Sequence, residues 1–230
     1  MRELKILAVV VALTLITYWG VEPYAHHEMH PPVAPADFAF SDVKESVADV
    51  TALEGNATSG EALVTANCTA CHSIESKGFP QVMDNASSGS AYGVTPPDLG
   101  SAGKLYNATY LAAFIKDPAT ASRVAHKFVD GRAHPMPSYN WMQPQEIADM
   151  VAYLKSIAPK EMTNKEVFTD SCQRCHAIKY ADMKGGSMAA FTPKDDVKHY
   201  MGKLPPDLSQ YIKSRGHHYL ETFINSPEKH

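Results

Sequence analysis

Two short runs in this sequence set two thiols and an imidazole where they can act on one bound group. The first is Cys68-Thr69-Ala70-Cys71-His72 and the second Cys172-Gln173-Arg174-Cys175-His176. These are the only 4 cysteines in 230 residues, too few for a disulfide-dense scaffold. Two C-x-x-C pairs can chelate one zinc ion, and each can cycle as a redox dithiol. A pair one helical turn apart can also add to the two vinyl groups of a porphyrin, and the following His then faces the iron. His makes up 11 of 230 residues, so chance would place it after both pairs about once in 400 cases. The motifs are therefore read as two covalent haem c attachment sites. Cys68, Cys71, Cys172 and Cys175 carry the thioethers, and His72 and His176 are the proximal ligands.

The elements that must position these groups recur. Pro96-Pro97-Asp98-Leu99 returns as Pro205-Pro206-Asp207-Leu208. From there the two stretches align without a gap: Lys104 with Lys213, Tyr110 with Tyr219, Leu111 with Leu220, Phe114-Ile115 with Phe223-Ile224, and Pro118 with Pro227. A helix with a capping-box start, Thr58-x-x-Glu61 or Thr163-x-x-Glu166, is expected before each motif. In the first copy Met136 lies between Pro135 and Pro137, a stiff, non-helical backbone suited to holding a thioether at one point. Core filling is the alternative use of such a Met. A helix follows with Pro144 in its first turn. Ile147, Met150, Val151, Leu154 and Ile157 make one apolar face on it, expected to pack on the helix before Cys68.

This order of helix, C-x-x-C-H, Pro-Pro-Asp-Leu loop, short helix, Met loop and terminal helix resembles a class I cytochrome c domain over residues 57–158. The resemblance implies that Met136 is the sixth ligand of the first haem. Residues 159–230 are expected to be a second such domain lacking its Met loop and terminal helix. Pro118 precedes Met136 by 18 residues, whereas Pro227 is followed only by Glu228, Lys229 and His230. A C-terminally truncated form of a longer protein is the expectation here. The other reading binds the second haem differently, with Met183, Met188, His199, Met201, His217 or His218 as the ligand source.

The N-terminus supplies the compartment. Arg2 and Lys5 bracket the start of an apolar run, Ile6 to Trp19, which extends to Leu4–Val21 if Lys5 snorkels. About 18 helical residues span roughly 27 Å, close to a hydrocarbon core. A cleaved signal peptide has similar charges, but no A-x-A-like site follows, and Tyr18 and Trp19 sit where an interfacial belt would lie. Residues 1–21 are thus expected to be a single-pass anchor, with a cytoplasmic N-terminus and the remainder outside. That compartment is oxidising, where haem attachment occurs and zinc ribbons are less expected. Residues 22–56 read as a linker stiffened by Pro23, Pro31, Pro32 and Pro35, with room for a short helix between Phe38 and Leu53. His26, His27 and His30 read as a solvated interfacial segment, and Ser87–Gly93 and Gly185-Gly186-Ser187 as loops.

A formal charge of −4, from 21 Lys and Arg against 25 Asp and Glu, argues against a nucleic-acid binder. No hydrolase motif, nucleotide fingerprint or paired-carboxylate site stands out. The expected fold is mostly α: a transmembrane helix, then two class I cytochrome c domains in tandem, the second incomplete. The layout is similar to the dihaem cytochrome c subunit of bacterial quinol–cytochrome c reductase, and Tyr18-Trp19-Gly20-Val21-Glu22-Pro23 is similar to that subunit's membrane exit. The resemblance implies a non-catalytic electron-transfer subunit at the periplasmic face of a bacterial inner membrane. Its implied partners are cytochrome b, a Rieske iron–sulfur protein as donor, and an oxidase or small cytochrome c as acceptor. A dihaem subunit of a cbb-type terminal oxidase and a free-standing tethered carrier share the architecture. A haem peroxidase is the alternative from another class.

Overall fold

The structure is a computed structural model that describes residues 2–29, 41–92, 94–122, 133–184, 198, 204–211, 214–215, 219–221 and 224; the side chains of residues 41 and 42 are outside the description. It divides into two compact units, Met1–Phe38 with Gln210–His230, and Ala39–Ser209. The described residues are helical, without strands; pairing in β fashion is confined to two isolated bridges.

In the first unit, α1 (Arg2–Ile16) and α2 (Glu22–Met29) are joined by a widened turn, Thr17–Val21. Glu22 N–H donates to the carbonyl of Thr17, five residues back. The widening falls just before Pro23, whose ring has no N–H and crowds the carbonyl four residues back, so the helix absorbs the proline instead of ending there. The continuous helix Arg2–Met29 has 28 residues, its most apolar 18-residue stretch has a mean hydropathy of 2.0, and none of that stretch is buried. It is long and apolar enough to be a membrane anchor or a signal sequence. It also runs past residue 21, into the stretch read as linker. His26 and His27 occupy its last turn, and His30 lies outside the described residues.

The second unit is built on one helix crossing. α5 (Ala57–Asn67) precedes the first motif, and α10 (Pro144–Ile157) packs across it. On α10, Ile147, Met150, Val151 and Leu154 are buried, the face that the 3.6-residue period indicated. Gly60 lets the two backbones meet: a Cβ there would lie 2.0 Å from the carbonyl oxygen of Asp149. Gly103, in α7 (Ala102–Leu105), serves the same purpose, its Cβ position being only 2.2 Å from the carbonyl oxygen of Leu154. The cap of α5 differs from expectation. Asn56, not Thr58, closes it, accepting from Thr58 N–H at 2.9 Å and Ser59 N–H at 3.2 Å. Asp149 of α10 in turn accepts from Asn56 N–H at 2.7 Å, which pins the start of α5 to α10. The Thr163–Glu166 capping box does form, at the start of α11 (Asn164–Val167).

Two segments depart from the loop and linker readings. α3 (Ser41–Ser46) and α4 (Ala48–Thr51) bury Val43, Val47 and Val50 in the core beside α8 (Ala108–Lys116). Lys116 of α8 and Asp49 of α4 pair at 3.1 Å, and that hydrogen bond holds the Asp49 carboxyl below its usual range. Residues 41–51 are thus part of the packed unit. A short helix, α9 (Pro118–Ala121), follows α8 and is capped by Asp117, which accepts from Thr120 N–H at 3.1 Å. Asn85–Tyr92 is a helix, α6, started by Asp84, which accepts from Ser87 N–H at 3.0 Å and from its hydroxyl at 2.7 Å. Ser88 and Gly89 are buried in it, so small side chains serve close packing here instead of exposure. Gly93 and Gly185-Gly186-Ser187 lie outside the described residues.

Tyr153 of α10 is 3% exposed, and among the described residues its buried hydroxyl has no hydrogen-bond partner. Removing an orphaned polar atom without changing shape is favourable. Tyr153→Phe is expected to stabilise the protein by about 1 kcal/mol, read as a higher midpoint of thermal unfolding.

Candidate haem site

The first motif closes α5. Cys71 N–H and His72 N–H both donate to the Cys68 carbonyl, at 3.1 and 2.9 Å, so both thiols and the imidazole stand on one helical turn. A 3₁₀ turn, Glu75–Lys77, follows and is closed by Gly78 at φ +80°. Ile74 and Phe79 pair across that turn, with N–H to carbonyl distances of 2.8 and 3.2 Å. The Pro-Pro-Asp-Leu loop then docks on the motif through three bonds. His72 Nδ1 lies 2.7 Å from the Pro97 carbonyl oxygen, Leu99 N–H donates to the Ser73 carbonyl at 2.9 Å, and Asp98 accepts from Glu75 N–H at 2.9 Å. A carbonyl carries no proton, so Nδ1 is the protonated nitrogen and donates. That choice of tautomer leaves the Nε2 lone pair free for a metal and fixes the ring's direction.

The second motif repeats most of this geometry, without a counterpart to the Asp98–Glu75 bond. Cys175 N–H and His176 N–H donate to the Cys172 carbonyl at 3.1 and 2.8 Å, and Leu208 N–H donates to Ala177 at 2.8 Å. His176 Nδ1 lies 2.9 Å from the Pro206 carbonyl oxygen. Ile178 and Met183 pair as Ile74 and Phe79 do. The intervening turn closes on Asp182 at φ +54°, where the first copy has Gly78. Met183 is therefore held in the turn beside the motif, at the Phe79 position. Met188, His199, Met201, His217, His218 and Pro227 lie outside the described residues. Tyr219, Leu220, Glu221 and Ile224 are helical, as are their counterparts in α8. Among the described residues beyond 158, no residue is buried; the packed core runs from Val43 to Leu154.

Met136 sits in a loop tied to α8 and α5. Tyr139 N–H donates to the Ile115 carbonyl at 3.2 Å, Ser138 Oγ to the Lys116 carbonyl at 2.5 Å, and Tyr139 Oη to the Asn67 carbonyl at 2.8 Å. His134 stands edge-on to Phe114, ring centroids 6.2 Å apart, and Met136 N–H lies 3.1 Å from its Nδ1. The same Nδ1 lies 3.1 Å from the Met136 carbonyl oxygen, and burial holds the His134 imidazole below its usual range. Met136 itself is half-buried. The Tyr139 bond is the informative one, since it ties the Met loop to the residue just before Cys68. Its signal in the sequence was the aromatic three places after Met136. The Pro97 and Pro206 carbonyls had a clearer one, the recurrence of the Pro-Pro-Asp-Leu segment.

The chemistry of the thiols separates the possible uses of the motifs. None of the four cysteines is joined in a disulfide. Burial pushes the Cys68 thiol up to about 12, with the charge of Cys71 adding to it. Burial also raises Cys175, against the opposing Arg174 cation. A redox dithiol needs a lowered thiol pKa, which neither group has. Among the described residues no three His, Cys, Asp or Glu side chains gather as a metal site, so the two pairs do not form a Cys₄ zinc centre. Burial likewise holds the His72 imidazole below its usual range, the Pro97 hydrogen bond opposing it and the Arg174 cation adding to it. Partly buried Phe79, Leu99, Tyr110, Phe114 and Tyr139 pack on the core alongside Cys68. An apolar wall, two thiol positions on one turn and an imidazole with its outer nitrogen free fit a covalently held haem.

Residues 57–158 match the family model of cytochrome c. A Synechocystis protein described as cytochrome c-553-like is 30% identical over 125 residues, which is 54% of this chain and 91% of that protein. No solved structure matches the chain. The match covers the α5–α10 crossing, the first attachment turn, its Pro-Pro loop and the Met loop between one pair of boundaries. This chain belongs to the cytochrome c family.

Proposed function

We propose that the chain is a membrane-anchored dihaem cytochrome c that relays electrons as a subunit of a quinol–cytochrome c reductase. Family membership carries the coarser part, covalent haem c and haem-based electron transfer. Bound haem supplies a one-electron iron couple; the chain's own residues hold it, orient its ligand and keep water away. In the first site Cys68 and Cys71 are the thioether positions, His72 the proximal ligand and Met136 the sixth. In the second, Cys172, Cys175 and His176 take the matching roles.

The observation that carries the two-haem reading is the second hydrogen-bond set, His176 to Pro206 and Leu208 to Ala177, built like the first. A C-x-x-C-H run without a positioned imidazole would be a motif in name only; this one has its Nδ1 acceptor in place. The helix Arg2–Met29 supports an anchor. An anchor would confine the haem domains to the membrane surface and raise their effective concentration for membrane-bound partners. Residues 1–21 as anchor, 57–158 as the first domain and 159–230 as the second remain the proposed organisation, with the haems periplasmic. The proposed partners are cytochrome b, a Rieske protein and an acceptor oxidase or small cytochrome.

The test is isolation from native membranes in mild detergent, with difference spectra and EPR of what accompanies the protein. Low-spin b-type haem, a Rieske signal and quinol oxidation are expected. A CO-binding haem with copper would place it in a cbb-type oxidase instead, and c-type haem alone would make it a tethered carrier.

A further inference from the structure

Arg174 occupies the third position of the second motif, where the first motif has Ala70. Its guanidinium reaches the loop that precedes the Pro-Pro segment of the first motif. Nη2 donates to the Thr95 carbonyl at 2.5 Å, next to the Pro96-Pro97 segment that orients His72. Thr95 is 1% exposed. Arg174 Nε and the Thr95 hydroxyl are both buried there without a partner. Among the described residues no carboxylate pairs with Arg174. A fixed cation that no described anion neutralises thus lies against the loop that holds the first imidazole. The contact is one-sided, because Ala70 can offer nothing in return.

We propose that Arg174 is a positioning residue that fixes the second attachment turn on the proximal loop of the first haem and raises that haem's reduction potential. The sign follows from charge. Oxidised haem iron carries one more positive charge than reduced iron, so a nearby cation that cannot move away disfavours the oxidised form. The same cation reduces the negative character that the Pro97 carbonyl induces on the His72 ring, which acts in the same direction. The arrangement lets the second attachment turn act on the first haem. The inference rests on the haem reading of the first motif; it deepens the two-haem relay without needing the second haem to be attached.

The test is a spectroelectrochemical titration of the full-length holoprotein, wild type against Arg174→Gln and Arg174→Lys. The same three sequences are repeated with Cys172→Ser and Cys175→Ser, so that only the first haem is read. In Arg174→Gln the first-haem midpoint is expected to fall by about 30–60 mV, a three- to tenfold change in the one-electron equilibrium constant. Arg174→Lys keeps the cation and is expected to retain most of the potential. An unchanged midpoint in Arg174→Gln, or an equal fall in Arg174→Lys, overturns the proposal. Arg174→Met, neutral and of similar reach, repeats the test should the Gln variant fail to accumulate. Counting covalent haem in each protein separates the two ideas. One haem per chain with the Arg174 shift intact defeats only the two-haem reading, and two haems with no shift defeats only this one.

Discussion

Gly60→Ala is expected to destabilise the haem-loaded protein by about 3 kcal/mol. Two effects oppose each other at this position. Alanine is the better helix former, and in the middle of an exposed helix the exchange would gain about 1 kcal/mol. Here the new methyl carbon would stand 2.0 Å from the Asp149 carbonyl oxygen, 2.5 Å from its carbon and 2.9 Å from the Tyr153 Cβ. Two of these neighbours are backbone atoms of α10, so no rotamer change relieves the overlap. Either α5 or α10 must move, and both are held by the Asn56–Asp149 bond at 2.7 Å. Overpacking therefore outweighs propensity. The thermal midpoint is expected to drop by roughly 15 °C, with the optical spectrum of the intact protein unchanged. A rise, or a change of less than about 2 °C, would show that the helix crossing is not as close as described.

Met136→Ala is expected to act the other way round, with a large spectroscopic change and a modest change in stability. Met136 is half-buried, so losing its side chain costs about 1–2 kcal/mol of packing. If its sulfur is the sixth ligand of the first haem, its loss removes the soft thioether that favours reduced iron. Axial ligation sets haem potentials over a range of about 0.8 V, and a fall on the order of 0.1–0.3 V is expected for the first haem. The sulfur-to-iron charge-transfer absorption should vanish with it. An unchanged potential and spectrum would make Met136 a packing residue of the Tyr139 loop, with the ligand elsewhere.

What could be read from the chain in advance was the chemistry encoded at short range. The C-x-x-C-H runs, the repeated Pro-Pro-Asp-Leu segment and the apolar face of α10 are all local patterns with a fixed period or spacing. Pro144 and the Thr163–Glu166 box marked helix starts for the same reason. What stays hidden in the sequence is a role set by a distant partner. Gly60 looks like a weak point in a helix until the α10 backbone is placed against it. Thr58 and Asn56 are two capping candidates two positions apart, and the bond from Asn56 N–H to Asp149, 93 residues away, decides between them. Ser88 and Gly89 read as loop by composition, yet burial makes smallness the requirement. Val43, Val47 and Val50 carry helical spacing, but the prolines before them turned the reading toward a linker. Arg174 is the extreme case, since nothing local connects it with Thr95, 79 residues earlier.

The second site is where local legibility and tertiary support diverge. Its attachment turn, its imidazole acceptor and its 3₁₀ turn repeat the first, down to an Asp at φ +54° in place of a Gly at φ +80°. An Asp tolerates that conformation less well than Gly does, so the turn is held by its surroundings, Ile178 and Met183 bridging across it. The buried core, by contrast, lies between Val43 and Leu154 among the described residues.

The number of haems covalently bound to each chain tests the central claim most directly. Intact-mass measurement of the full-length protein, matured with the haem-attachment machinery and checked against alkaline pyridine spectra, gives that number. Two haems per chain, falling to one when Cys172 and Cys175 are both replaced by Ser, is the result expected of two working attachment sites. One haem in the unaltered chain, lost when Cys68 and Cys71 are replaced and untouched when Cys172 and Cys175 are, would contradict it.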